Sequence, residues 1–502
     1  MSTTYLADFA EPIFIPKRSK LLRFLSNTPL FAIFAQEKMA PTLGPELAPG
    51  HNPSSRGRSM TSLRSSSSRT STTHVTALSP TRSISSSSIM FDDEDIDVVR
   101  EEGLRHSNER LEARPWQLGR YKTTPFAEKL LDVLQALRVP QWSAYKDLAP
   151  QSIEIFKVSG SLTNAVFFVS STSHTLPKLL LRIYGPSSGT LISRPRELHT
   201  LHVLSSQYHI GPRVYGTFEN GRIEEYFDSS ALTASDLRDA KISSWIGARM
   251  AELHQVDITS VEDSSLISAS GEVRESQLGA RKNVETWLAP AREVLALPSV
   301  TDAIRRELDL DTFEAEWKEY MLWLKAQEQE VGASRRVFAH NDTQYGNLLR
   351  MNSVPANAAE HRQIIVVDFE YASVNPAAFD IANHFHEWTA NYHSEVPHIL
   401  HPDRYPTHDQ RRNFYRAYIT HSLTSPAADL LVKTSMDTQI ARLERQVQIW
   451  SPASHGMWAL WGLIQAREFL EGQDGEPEFD YVGYARCRME SFRRELRALR
   501  AQ

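Results

Sequence analysis

Apolar residues change their spacing twice along this chain, and each change marks a different kind of element. Near the start no period holds: Leu21 to Leu25 and Leu30 to Phe34 are apolar, but Asn27, Thr28 and Pro29 divide them. Residues from about 40 to 115 are rich in Ser, Thr, Pro and Arg, as in Arg64-Ser65-Ser66-Ser67-Ser68-Arg69 and Ser85 to Ser88, and include the acidic run Asp92-Asp93-Glu94-Asp95. Such a stretch buries too little apolar surface to offset the entropy of ordering, so residues 1–115 are expected to be largely disordered. Arg beside Ser suits this extension to phosphorylation by basic-directed kinases; a passive tail is the alternative.

Order is expected from about Trp116. Thr124-Pro125 reads as a cap followed by a first-turn proline; Leu130, Leu134 and Leu137 then recur at helical spacing, and Pro140 closes the helix. From there the spacing shortens to that of strands: Ile153 and Ile155, Val166 to Val169, Lys178 to Tyr184, Val214 to Phe218 and Arg222 to Phe227. Asn220-Gly221 joins the last two as a hairpin. One helix, Arg194 to Ser206, interrupts the series. After Asp228 the helical period returns in long stretches, Ile242 to His254, Asp311 to Glu330 and Arg411 to Ser422, with one strand pair expected around His340 to Glu370. The result is an α+β chain: a small β-rich lobe with a leading helix over 116–228, a large helical lobe over 229–502, and a crevice between them.

Composition narrows the partners. With 502 residues and a formal charge of -6, the chain has no basic stripe for nucleic acid. Its one cysteine, Cys487, excludes an internal disulfide framework and a Cys-rich zinc site, which fits a reducing, cytoplasmic setting. No run of about 18 apolar residues occurs, so no stable membrane insertion is expected. The first residues also lack the unbroken apolar core of a secretory signal. No pattern here fixes the oligomeric state, and a homodimer stays open.

The chemistry concentrates in His340-Asn341-Asp342-Thr343-Gln344-Tyr345-Gly346-Asn347, followed by Val366-Val367-Asp368-Phe369-Glu370. An alcohol attacking a phosphoryl group needs a carboxylate to position it and accept its proton, and cations to spread the transition-state charge. Asp342 is the candidate base. Asn347, five positions on, offers an amide oxygen to Mg2+, Gln344 is a further metal or nucleotide contact, and Asp368 supplies the hard carboxylate. This ordered set on two lobes predicts a protein-kinase-like, aminoglycoside-phosphotransferase-like fold acting on ATP. The triplet opened by Asp368 ends in Glu370, and no Ala-Pro-Glu peptide-docking signature follows, which favours a small-molecule acceptor. In the first lobe, the turn Ser159-Gly160-Ser161-Leu162-Thr163-Asn164 is suited to backbone contacts with phosphates. Arg182, on the third strand, is the candidate phosphate cation and Glu197 the carboxylate that orients it. Glu225, Tyr226 and Phe227 lie where the lobes join and the adenine would dock.

Four segments in register resemble the choline/ethanolamine kinase family: His340 to Asn347, Val367 to Ser373, Phe379-Asp380-Ile381-Ala382-Asn383-His384-Phe385-His386-Glu387-Trp388, and Trp458 to Ala466 with Glu478-Phe479-Asp480-Tyr481. The resemblance runs from about Trp116 to the C-terminus. It implies MgATP-dependent phosphorylation of choline to phosphocholine for phosphatidylcholine synthesis, with Asp342 as base, Gln344, Asn347 and Asp368 serving metal and nucleotide, Ser159 to Ala165 as phosphate loop and Glu225 to Ala231 as hinge. It also implies that Asp380 braces the catalytic loop. Two departures stand out: Gly160-Ser161 where the family's loop often has paired glycines, and Ser230-Ala231 where basic residues can occur. A trimethylammonium group has no hydrogen-bond donor, so aromatic faces and a nearby negative charge must hold it. Trp458 and Trp461 share one side of a helix, and Tyr392, Phe479, Tyr484 and Tyr371 are candidates to complete the cage, with Glu387 supplying the charge. This aromatic set favours choline, with ethanolamine as a slower substrate. An ethanolamine kinase or an aminoglycoside-type phosphotransferase is the enzymatic alternative, although a polycation would call for a broad acidic surface. An inactive scaffold is disfavoured because Asp342, Asn347 and Asp368 are all present.

Overall fold

The computed structural model describes residues 101, 103–112, 120–160, 164–184, 193–262, 274, 277–422, 434–472 and 479–501. The apolar N-terminal segments and the Ser/Arg-rich extension, apart from 101 and 103–112, lie outside that set, as does Trp116. Order nevertheless begins earlier than expected. His106–Ser107 forms a two-residue strand, and Leu111 is fully buried with its N–H donated to Asn220 Oδ1 at 3.0 Å. No periodicity announces so short a strand.

The first lobe starts with α1 (Thr124–Ala136), which has the expected proline in its first turn. Strands β1 (Ile153–Gly160), β2 (Asn164–Ser171) and β3 (Leu179–Tyr184) follow, then helix α2 (Arg194–Val203), then β4 (Val214–Phe218) and β5 (Gly221–Glu225). They form one six-stranded sheet in the order His106–Ser107, β4, β5, β3, β2, β1, antiparallel except for the parallel pairing of the short strand with β4. Phe167, Leu181, Ile183 and Ile223 on the sheet pack with Leu130, Val133, Leu134 and Leu137 of α1. The helical period of α1 and the alternation on the strands thus meet in one core. In β3 and β5, Arg182 lies directly opposite Arg222.

The lobes are joined by β6 (Ser229–Ala231), which leaves the first sheet and pairs with β8 (Leu348–Met351). The expected single strand pair in the second lobe is in fact four short strands: β7 (Arg336–Ala339), β8, β9 (Ile364–Val366) and β10 (Ser373–Pro376). β9 pairs with β8 and β10 with β7, so the catalytic segment lies between two small antiparallel ladders. Strands of three or four residues carry too little alternation to be resolved in sequence.

The remaining elements are helical: α3 (Ala240–Leu253), α4 (Gly279–Leu295), α5 (Leu310–Val331), α6 (Ala377–Glu387), α7 (His408–Ser422), α8 (Met436–Gln465) and α9 (Tyr481–Arg500). From Ile449 to Ile464 every residue of α8 is buried, which identifies a central helix packed on all sides, here by α9, α4 and α6. Gly462 lets α9 approach: a Cβ there would lie 3.0 Å from the Tyr484 ring. Among the described residues no helix is long and apolar enough to cross a membrane.

Candidate active site

The catalytic segment is held open by a buried carboxylate. Asp380, on α6, accepts the backbone N–H of His340 at 3.1 Å on one oxygen and that of Asn341 at 2.8 Å on the other. His254 Nε2 donates to the same carboxylate at 2.9 Å, and its Nδ1 faces Tyr418 Oη at 2.8 Å. Burial alone would raise Asp380, but the hydrogen bond and charge of His254, the His340 imidazole and the Asn341 N–H together outweigh it and hold the carboxyl below its usual range. Asp380 is therefore an anionic brace rather than a reacting group, and its anchor His254 had no signature in the sequence. Asn341 takes a left-handed backbone (φ 65°) between these contacts; its amide is bonded to Tyr371 O, Ser373 Oγ and Asn375 Nδ2. A non-glycine residue in that region costs energy that four well-made contacts can offset. His340 links the two halves of the motif: Nε2 donates to Val367 O at 3.0 Å and Nδ1 accepts from Asp342 N–H at 3.2 Å. Burial keeps that imidazole neutral.

Asp342 projects into the cleft from this scaffold. Asn347 Nδ2 donates to Asp342 Oδ2 at 2.8 Å and to its carbonyl at 3.0 Å. With its nitrogen committed, Asn347 has its amide oxygen to offer a cation. Asp368 also lies in the left-handed region (φ 68°), and its buried Oδ1 has no hydrogen-bond partner among the described residues. A desolvated, unpartnered carboxylate oxygen is costly unless a ligand satisfies it. Burial, then Glu387, Asp368 and Glu370, pushes Asp342 well above the usual carboxylate range; burial and Asp368 push Glu370 up to about 8. Four acids confined together in this way repel one another until cations arrive. The hard oxygen donors of Asp368 and Asn347, with Glu370 close by, fit a divalent metal. In the sequence Glu370 stands out only as the residue where a protein kinase has a glycine.

The nucleotide side differs from expectation in its pairing. Glu197 binds Arg222 Nη2 and Arg194 Nη1, each at 2.7 Å, and not Arg182. Burial opposes its ionisation, but Arg222 and Arg194 outweigh that and hold Glu197 well below the carboxylate range. Arg182 has Glu224 Oε1 3.6 Å from its Nε, which makes no hydrogen bond; burial raises the Asp368 carboxyl, and the Arg182 charge offsets only part of that rise. Arg222, which also contacts Glu224 and Tyr184, was missed because it sits in an ordinary hairpin. Of the phosphate turn, Ser161, Leu162 and Thr163 lie outside the described residues; Ser159, Gly160 and Asn164 are described only as ends of β1 and β2. The β1–β2 register slips between Lys157 and Ser159, just before it. Glu225 closes β5, and Tyr226 and Phe227 lead into β6, at the join between lobes.

Across the cleft, Asp342, Gln344, Glu387, Tyr392, Trp458, Trp461 and Tyr484 line one small cavity. Trp458 and Trp461 meet edge to face at 5.2 Å, and Tyr484 lies 5.8 Å from Trp461. Both indoles are locked to the catalytic machinery. Trp458 Nε1 donates to Asn383 Oδ1 at 2.8 Å, and Asn383 Nδ2 donates to Asn341 O at 2.9 Å. Trp461 Nε1 donates to Tyr371 Oη at 2.8 Å. Tyr371 and Phe479, expected in the wall, do not line the cavity. Tyr371 stands behind Trp461, and Phe479 packs on Tyr484 at 5.7 Å and lines a neighbouring apolar pocket. Gln344 lies on the acceptor side: its Oε1 caps Gly346 N–H at 2.7 Å, so the metal role expected of it is not what its geometry favours. Glu387 is not a bare charge either, because Arg488 Nη2 donates to it at 2.9 Å and Tyr392 Oη at 2.5 Å. Arg488 lies 101 residues away on α9, and no local pattern could connect the two.

Behind Glu387, His386, His455 and Glu495 bring one ligand-type atom each within 4.8 Å of one another. Arg488 donates to His455 Nδ1 at 3.4 Å, and burial, Arg488 and Arg494 keep that imidazole neutral. The guanidinium charges beside this cluster disfavour a further cation there.

The family model for choline/ethanolamine kinase matches residues 155–493. The chain is 34% identical to the choline kinase of Schizosaccharomyces pombe over 73% of its own length and 88% of that protein's. It is 32% identical to probable choline kinase 2 of Arabidopsis thaliana, over 72% of this chain and 90% of the relative. Among solved structures, the choline kinase of Cryptosporidium parvum superposes with a TM-score of 0.57 at 23% identity, covering 75% of this chain and 96% of that one, which bears on the fold.

Proposed function

Because the chain belongs to the choline/ethanolamine kinase family, we propose that it transfers the γ-phosphoryl group of ATP to the hydroxyl of choline, with ethanolamine as a slower acceptor. The observation that carries this reading is the single cavity in which Asp342 faces the indoles of Trp458 and Trp461. Asp342 orients the acceptor hydroxyl and takes its proton; with Oδ2 engaged by Asn347, Oδ1 is the atom for this task. Asp368, the Asn347 amide oxygen and Glu370 would hold Mg2+, which when bound offsets the charge of the phosphates and of this acidic cluster. Arg182 would bind phosphate oxygens from the opposite lobe, and the linker Glu225 to Phe227 would receive the adenine. The indole faces and Tyr392 and Tyr484 would surround the methylated ammonium, which places the hydroxyl beside Asp342. The single cysteine accords with a reducing, cytoplasmic setting for this reaction.

The test is a side-by-side assay of choline, ethanolamine and an aminoglycoside with MgATP. Choline should give the highest kcat/KM, ethanolamine a lower one, and the aminoglycoside no turnover above background. Turnover of the aminoglycoside at the choline rate, or none of choline, would overturn the reading.

A further inference from the structure

An acceptor pocket that tells a quaternary from a primary ammonium must do more than attract a positive charge, since both carry one. A primary ammonium brings three N–H donors that need acceptors, and a trimethylammonium brings none. Apart from Asp342 Oδ1, which is reserved for the acceptor hydroxyl, the side-chain oxygens around this cavity already carry partners. Glu387 Oε1 accepts from Arg488 Nη2 and Oε2 from Tyr392 Oη. Gln344 Oε1 accepts from Gly346 N–H, and Asp342 Oδ2 accepts from Asn347 Nδ2. Tyr484 Oη accepts from Arg488 Nε at 2.9 Å. Arg488 is itself fully buried, so its cation depends on these contacts and cannot turn to solvent.

We propose that Arg488 determines acceptor specificity: by occupying Glu387 and Tyr484 from behind the cage, it withholds the acceptors that a primary ammonium requires. Arg488 is a positioning residue and does not line the cavity. The inference rests on the choline kinase reading and deepens it. The aromatic faces attract either acceptor, and Arg488 makes hydrogen bonding to the cage unrewarding, so selectivity rises with each methyl group.

The experiment measures kcat/KM for ethanolamine, its mono- and dimethyl derivatives and choline, with wild type, Arg488→Met and Tyr392→Phe. Arg488→Met removes the guanidinium; Tyr392→Phe keeps the aromatic wall and the ion pair and releases Glu387 Oε2. A hydrogen bond to a charged group is worth enough to change a ratio about tenfold or more. The ethanolamine-to-choline ratio should therefore rise by about tenfold in Arg488→Met, and in the same direction by less in Tyr392→Phe, mainly through the KM for ethanolamine. A purely structural role would lower all four acceptors together and leave the ratio unmoved, and that result overturns the proposal. If Arg488→Met does not fold, an unchanged ratio in Tyr392→Phe overturns it alone. Wild type that turns over choline while the ratio stays fixed sinks only this inference; wild type inactive on choline sinks the functional reading beneath it.

Discussion

Trp461→Leu isolates what the aromatic cage contributes. Trp461 lines the cavity at 2% exposure, against Trp458 on one side and Tyr484 on the other. A cation over an indole face gains roughly 0.5–1 kcal/mol at an exposed site and about 2 kcal/mol or more once desolvated. Burial puts Trp461 at the upper end. At about 1.36 kcal/mol per tenfold, the loss corresponds to a ~30-fold fall in kcat/KM for choline, carried mainly by KM. Leucine keeps apolar bulk and removes the π face, but it also drops the hydrogen bond to Tyr371, so a control acceptor is needed. The uncharged isostere 3,3-dimethylbutan-1-ol has choline's shape with carbon in place of nitrogen; it shares the packing loss and has no cation to lose. ADP release, followed in a coupled assay, should show choline falling by ~30-fold, the isostere by only a few-fold, and the KM for ATP unchanged. Equal losses for choline and its isostere would refute the cage, and a parallel rise in the KM for ATP would refute the separation of the two subsites.

Asp342→Ala should lower kcat by about 10²–10⁴-fold, the range for loss of a positioned base. It should not lower the melting temperature, because a carboxyl whose pKa is raised by burial and by Glu387 destabilises the unliganded fold at neutral pH; retained turnover, or a protein that unfolds at lower temperature, contradicts one half of that statement each. Acid should weaken the fold through His384, whose pKa burial pushes down to about 4 while Nδ1 donates to Thr343 O. The unfolded chain binds that proton from about pH 6.5. The contribution is thus whole above 6.5 and is lost as pH falls towards 4, reaching about 1.4 kcal/mol at pH 5.5. Denaturant titrations at pH 7 and 5.5, with wild type and His384→Gln, should show a smaller pH difference in the variant, and an unchanged difference would remove His384 from the account.

How far the sequence could be read depended on the distance over which each signal acts. The leading helix, the two hairpins and three of the long helices, α3, α5 and α7, were visible because their periods are local, and they fell within a few residues of their observed ends; α4, α8 and α9 were not delimited. The four short strands around the catalytic segment were not, since three or four residues cannot establish a period. Asp342, Asn347 and Asp368 stand out in the sequence because their spacing, across one loop and just past one strand, is itself the signal. Trp458 and Trp461 could be found because three residues on a helix place two side chains on one face. What escaped was pairing. Glu197 looked like the partner of Arg182, but the register that sets Arg182 opposite Arg222 puts another guanidinium nearer, and two adjacent cations are stable only with Glu197 and Glu224 shared among them. Glu387 looked like a free charge because its counter-ion is 101 residues downstream.

These long-range pairings join the proposed cage and the proposed base into one hydrogen-bonded unit. Each indole N–H is spent on a residue that also serves the catalytic segment: Trp458 on Asn383, which holds the Asn341 carbonyl, and Trp461 on Tyr371, whose carbonyl accepts from the Asn341 amide. Asn341 precedes the proposed base, and Tyr371 lies three residues beyond Asp368, the proposed metal carboxylate. An acceptor that seats against the two indoles therefore meets a base whose position is set by the same hydrogen bonds, and the misplacement that would cost rate is resisted from both ends. A buried, fully satisfied polar network of this kind is rigid because each member lost leaves another unpaired in a dry interior. It follows that changes at Asn383 should act on turnover and on acceptor binding together, whereas a change confined to one wall of the cage should act on binding alone.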